Sequence, residues 1–124
     1  MSNRPISPTA LHALVSRALR ASGANVTAAE AMAGAVVAAE MDGIPSHGVA
    51  YAPIYCEHVQ CGKVNGDAKP EVQVQRAGTL RVNADCGFAH PAIDVGLSPL
   101  VAAAQRNGIA AMTITRSYNC GVLG

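Results

Sequence analysis

Asp42-Gly-Ile-Pro-Ser-His-Gly-Val-Ala-Tyr-Ala-Pro-Ile-Tyr55 interrupts an Ala-rich, helix-forming region with glycines and prolines, and sets a Ser-His pair between them. Gly43 accepts the left-handed geometry that ends a helix, and a proline can open a helix but cannot donate within one. The stretch is therefore a connection between helices. Asp42-Gly43 stops one helix, Ile44 to Gly48 is a short link, and a further helix runs from about Ala50 to Gln60 with Pro53 in or near its first turn. Gly62 closes that helix.

Upstream, Ser7-Pro8 followed by Leu11, Leu14, Val15, Ala18 and Leu19 reads as a Ser-capped helix with proline at its first position and one apolar stripe. Gly23 ends it. Thr27 and Glu30 have the spacing of a capping box at the start of a second helix, which the Ala, Met and Val residues continue to Met41. Downstream of a polar loop at Asn65-Gly66-Asp67, residues 71–75 and 80–83 alternate apolar and polar side chains across Ala77-Gly78, the pattern of a hairpin. Pro91 opens another helix, which Ser98-Pro99 is expected to split or kink and Asn107-Gly108 to end; Ile109 to Ile114 reads as a buried strand before a final loop. The order of three helices, a hairpin, a helix and a strand predicts a mixed α/β architecture. A change from Ala-rich helices to β-branched strands near Val64 to Pro70 suggests a boundary, with residues 1–66 as a helical N-terminal domain and 67–124 as the beginning of a second domain.

Composition narrows the function. The 124 residues are 50% apolar and 14% charged, with a formal net charge of +1, which fits an ordinary globular domain and offers no basic patch to nucleic acid or an anionic membrane. The N-terminus lacks the apolar core of a signal peptide and no apolar run reaches the ~20 residues of a membrane span, so a cytoplasmic location is expected. Cys56, Cys61, Cys86 and Cys120 form no Cys-x-x-Cys pair and have no histidine at zinc-finger spacing, so reduced and mostly buried thiols are expected.

The four histidines differ in context. His12 lies on an amphipathic helix and His58 within a third helix, where surface or structural roles suffice; His90 precedes Pro91 at a loop or helix start. His47 follows Ser46 at a Gly-flanked helix entrance, where a short loop presents an imidazole beside exposed backbone amides. Imidazole is also the side chain most readily tuned for proton transfer near neutral pH. His47 is thus the candidate acid or base.

Asp42-Gly-Ile-Pro-Ser-His-Gly48 with Pro53 and Tyr55, then Gly87-Phe-Ala-His-Pro-Ala-Ile-Asp-Val-Gly96, Gly108-Ile-Ala-Ala and Arg116-Ser-Tyr-Asn-Cys-Gly121, together resemble the ordered blocks of the malate and lactate dehydrogenase family distinct from the Rossmann-type enzymes. The resemblance covers nearly the whole chain. It implies hydride transfer between NAD or NADP and a small 2-hydroxy or 2-oxo acid or a cyclic imine, in a homodimer whose nucleotide domain is a non-Rossmann mixed sheet. The absence of a Gly-x-Gly-x-x-Gly turn agrees with that. By the same resemblance His47 is the proton donor, Ser46 its hydrogen-bonded support, and Asn119, Cys120, Gly121, Val122 and Leu123 a cofactor-contacting loop.

Two positions depart from the family pattern. Tyr51 stands where relatives usually carry an Arg for the substrate carboxylate, and a phenol offers one neutral hydrogen bond in place of a bidentate charged pair. Asn119 stands where many relatives carry a His, which leaves His47 as the preferred acid. Family members are also much longer. The expectation is that the missing C-terminal part carries most of the nucleotide site and the carboxylate that orients His47, and that the chain alone exposes apolar surface and is inactive. A non-catalytic helical interaction domain retaining the fold is the alternative.

Overall fold

The structure is a computed structural model and describes residues 4–118 and Gly121. Helix α1 spans Pro8–Ala21, and the Ser7 hydroxyl caps it by accepting from the Ala10 amide at 3.2 Å, as the Ser-Pro pair predicts. Helix α2 spans Val26–Met41 and is capped differently from the Thr27-Glu30 reading. Asn25 is the cap: its side chain accepts from the Ala28 amide at 2.9 Å and donates to the Ala68 carbonyl at 3.1 Å, while its own amide donates to the Gly66 carbonyl at 2.7 Å. Tied to the loop at both its backbone and its side chain, Asn25 fixes where the helix begins. Glu30 turns instead to α1, bonded to the Ser16 hydroxyl and 3.8 Å from His12 Nε2.

The expected third helix is subdivided. Short 3-10 turns occupy Pro45–His47 and Val49–Tyr51, and α3 proper covers Ala52–Gln60, with Pro53 in its first turn. The hairpin forms as predicted from β1 (Glu71–Arg76) and β2 (Thr79–Asn83), antiparallel with Glu71 opposite Asn83 and an irregularity between Val74 and Arg76. Helix α4 (Ala89–Asn107) starts two residues before Pro91 and continues through Pro99 as one helix. The reason lies in its support. Ala92 packs in a cluster with Val82 and Ala84 on which Met112 and Ile114 also rest, and Gly96 faces Val82 and Met112 closely enough that a Cβ would overlap the Met112 sulfur. Such tertiary contact outweighs one missing amide donor.

Strand β3 (Ala111–Thr115) lies parallel to β2, Leu80 beside Met112 and Val82 beside Ile114, completing a three-stranded mixed sheet in the order β1-β2-β3. Parallel neighbours need a crossover, which α4 supplies. The expected buried run from Ile109 is corrected here: Ile109 is 80% exposed in the link after Gly108, and β3 itself is only partly buried.

Most of the core lies between the helices and the start of α4. Leu11, Val15 and Leu19 of α1 join Met32, Ala33 and Val36 of α2 in a cluster that also takes in Tyr55, Val59 and Phe88. Ala29 and Ala33 are fully buried, as close helix approach requires. Apolar side chains also face solvent, including Val95, Leu97 and Val101 on α4 and Val74 on β1, in line with the expected apolar surface. Of the cysteines, Cys61 and Cys86 are exposed and Cys56 is half-buried, so the expectation of mostly buried thiols does not hold among the described residues. None of the described helices is long and apolar enough to cross a membrane.

Candidate active site

The end of α2 determines where the Ser-His pair sits. Helix α2 stops at Asp42 and the chain reverses through Gly43, whose φ is +71°. The His47 amide then donates to the Ile44 carbonyl (3.1 Å) and the Gly48 amide to the Pro45 carbonyl (3.2 Å), closing the first 3-10 turn. One carboxylate pins this turn to the helix behind it: Glu40 Oε1 accepts from the Val49 amide at 2.7 Å. The carboxylate lies against Gly48 so closely that any Cβ there would overlap it.

Gly48→Ala is therefore expected to eject Glu40 and cost about 1 kcal/mol, the size of one partly exposed hydrogen bond. Glu40→Ala should cost a similar amount. Because both changes remove the same contact, the double variant should lose less than the sum, a result that urea denaturation of the three variants reads directly.

On this turn Ser46 Oγ and His47 Nδ1 are 3.0 Å apart, with Ser46 exposed and His47 half-buried. The serine takes one ring nitrogen and leaves Nε2 for other chemistry. Gly121 approaches that end of the ring: a Cβ there would stand 3.0 Å from His47 Cδ2 and 3.6 Å from the Tyr55 hydroxyl. With φ at +64°, Gly121 sits in the left-handed region that favours glycine, and a side chain there would crowd the imidazole. Of the predicted cofactor loop, Gly121 is thus brought to His47, whereas Asn119, Cys120, Val122 and Leu123 lie outside the described residues.

Tyr55, which lines the same cavity as His47, belongs to an edge-to-face aromatic cluster. The Tyr51 ring is 4.9 Å from that of Tyr55, which is 5.8 Å from Phe88 and 6.3 Å from Tyr118. Burial, with Tyr51 alongside, pushes the Tyr118 phenol up to about 12, so it stays protonated. Its oxygen is 2.6 Å from His58 Nδ1. Burial first, and Tyr51 second, also raise Tyr55 above the ordinary tyrosine value.

His90 stands at a helix start, as its place before Pro91 suggests, and the fold brings it to His47. It is the second residue of α4 and shares a narrow cavity with His47, Tyr55 and the α2 residues Met32, Val36 and Ala39. Its Nδ1 is buried without a hydrogen-bond partner among the described residues. Burial lowers its pKa below the ordinary 6.5, and Asp94 offsets this only in part. A histidine held neutral in the fold binds its proton more readily when unfolded. Stability should thus be full above about pH 6.5 and fall as the pH drops through the interval below it. Thermal melts between pH 7.5 and 5 should show that decline, and His90→Gln, which cannot titrate, should flatten it.

Among the described residues no three His, Cys, Asp or Glu side chains converge as metal ligands would. Ser46 and His47 are brought together as predicted, and Tyr51 stands one ring from Tyr55. Glu40, His90 and Tyr118 are additions from the structure.

The sequence pattern of the malate/L-lactate dehydrogenase family matches residues 6–124. The (2R)-3-sulfolactate dehydrogenase (NADP(+)) of Chromohalobacter salexigens is 37% identical over 122 residues, covering 98% of this chain and 36% of that protein. The Δ1-pyrroline-2-carboxylate/Δ1-piperideine-2-carboxylate reductase of Pseudomonas putida is 36% identical over 115 residues, 93% of this chain and 34% of its own length. Among solved structures, Δ1-piperideine-2-carboxylate reductase from Pseudomonas syringae superposes with a TM-score of 0.90 at 32% identity, over 93% of this chain and 35% of that one. Malate dehydrogenase from Pyrococcus horikoshii shares the fold, with a TM-score of 0.87 at 22% identity over 98% of this chain and 35% of its own. The chain spans about a third of the length of the curated relatives it matches. By a match that runs through the helices, the Ser-His turn and the mixed sheet alike, the chain belongs to the malate/L-lactate dehydrogenase family.

Proposed function

We propose that these residues form the acid-bearing part of an NAD(P)-dependent oxidoreductase that moves a hydride between nicotinamide and a small 2-hydroxy or 2-oxo acid or a cyclic imine. The observation that carries this reading is the Ser46–His47 pair, 3.0 Å apart on a turn pinned by Glu40, with the imidazole edge bordered by a glycine.

Bound nicotinamide supplies the hydride. As the hydride reaches a carbonyl or imine carbon, negative charge grows on the adjoining oxygen or nitrogen, and an imidazolium beside it both stabilises that charge and gives up the proton. His47 is the proton donor, from Nε2, because Nδ1 is engaged by Ser46. Ser46 orients the ring. Tyr51 lies on the substrate side, with a neutral phenol where relatives usually carry an Arg. Gly121, with Asn119, Cys120, Val122 and Leu123 of the same loop, is assigned to the cofactor.

In this reading residues 1–66 are the helical domain carrying the acid and 67–124 begin the nucleotide-binding domain. Homodimerisation and a cytoplasmic location complete the proposal. The test is oxidation of NADH and NADPH by the protein carrying these residues, offered a panel of 2-oxo acids and cyclic imines. Reduction of at least one panel member is expected. If none is reduced while the protein is folded, the reading gives way to that of a non-catalytic interaction domain.

A further inference from the structure

A second cleft, of about 490 Å³, shares Tyr51 and Tyr118 with the aromatic cluster and is further lined by His58, Cys86, Ser117 and the cations Lys63 and Arg116. None of the described lining residues is acidic. In a chain with nine basic and eight acidic residues, two cations sharing one cleft without a carboxylate is a local separation of charge. Two acids are adjacent in sequence to lining residues, Glu57 before His58 and Asp85 before Cys86; neither lines the cleft, and the Asp85 carboxylate accepts from the Asn65 side chain at 3.3 Å and the Lys69 amide at 3.2 Å.

The backbone beside the cleft is held in an uncommon form. Asp85, Cys86 and Arg116 have φ of 56°, 59° and 53°, in the left-handed region that side chains with a Cβ seldom adopt. Two of them clamp each other: the Cys86 amide donates to the Arg116 carbonyl at 2.7 Å, and the Arg116 guanidinium donates to Cys86 Sγ at 3.4 Å. Backbone of this kind persists where its surroundings over-determine it, and it tends to gather at binding sites. Sulfur is a weak acceptor, and a carboxylate or sulfonate oxygen is a stronger one for the same guanidinium. The cleft also adjoins the acid. Tyr51 lines it, and the Tyr51 ring is 4.9 Å from Tyr55, which lines the cavity of His47.

We infer that this cleft is an anion subsite, in which Arg116 and Lys63, with the Tyr51 phenol, hold the carboxylate or sulfonate group of a small acid. The identity of that acid as a substrate rests on the oxidoreductase reading; the existence of the subsite does not. It places the cation for the substrate outside the position that Tyr51 occupies, on residues that only the fold brings together.

Titration of the protein with malate, with its neutral dimethyl ester and with NADPH, followed by the ring signals of His58 and Tyr118 in NMR, tests this. Malate should shift both signals and the ester should not. Arg116→Asn removes the charge while keeping a residue that tolerates the left-handed backbone, and should weaken malate binding about tenfold or more; Arg116→Lys should recover part of it. Lys63→Gln, at an exposed position away from the clamped backbone, should weaken binding to a smaller extent. Equal affinity for malate and its ester, or undiminished malate binding in both charge-removing variants, overturns the subsite. Shifts with NADPH and none with malate overturn the assignment to a small acid and give the anion to the cofactor's phosphate. Charge-dependent malate binding without reduction of any panel substrate upholds the subsite and counts against the oxidoreductase reading alone.

Discussion

His47→Ala should lower NAD(P)H-dependent reduction by the protein carrying these residues about 10²- to 10⁴-fold, the usual contribution of a positioned general acid. The fall should come in kcat, since the proton is needed only as charge develops, and a group used only in the transition state leaves substrate binding nearly unchanged. The fold should tolerate the change: His47 belongs to neither buried apolar cluster, and the bond that shapes its turn is made by its backbone amide, which alanine retains. Ser46→Ala should cost less, because the serine touches the ring at Nδ1 and the acid would survive it. Steady-state kinetics beside circular dichroism of both variants checks this. A folded His47→Ala protein within a few-fold of the parent's kcat would falsify the acid assignment.

How far the sequence carried these conclusions depended on the range of the interaction involved. The cap of α1 was readable because Ser7 acts on an amide three residues away. The cap of α2 was misread because Thr27 and Glu30 satisfy a local rule, while Asn25 is held by Gly66 and Ala68, some forty residues on. Pro99 reads locally as a split or kink, yet the sheet beneath α4 supports one unsplit helix. The site divides in the same way. Ser46 and His47 are adjacent in the chain, and their pairing could be read from it. The carboxylate that pins their turn, the buried imidazole of His90 beside them and the Tyr118–His58 bond join segments that only folding brings together. Glu40 had no distinguishing signal, since an acidic residue near the end of a helix is ordinary until the next turn folds back on it.

Phe88→Ala is expected to have the largest effect on stability. Phe88 is 1% exposed and immediately precedes α4, yet it packs in the cluster formed by α1, α2 and α3, so its ring ties the sheet-side half of the chain to the helical half. It also meets two tyrosines edge-on, Tyr55 at 5.8 Å and Tyr118 at 5.6 Å between ring centres. Truncation removes the buried ring and leaves a cavity that these neighbours only partly fill, at a cost of about 3–5 kcal/mol. Against the roughly 5–15 kcal/mol that holds a typical domain together, that is a large share. The melting temperature should fall by roughly 10–20 °C, and Phe88→Leu, which keeps most of the apolar volume, should recover much of the loss. The near-ultraviolet signal of the tyrosines should weaken in Phe88→Ala even at temperatures where the helices persist, since Tyr55 and Tyr118 lose the ring that fixes their orientation. A melting temperature lowered by less than about 5 °C would mean that the two halves are joined mainly elsewhere, with the Asn25 bonds to Gly66 and Ala68 as the next contact to remove.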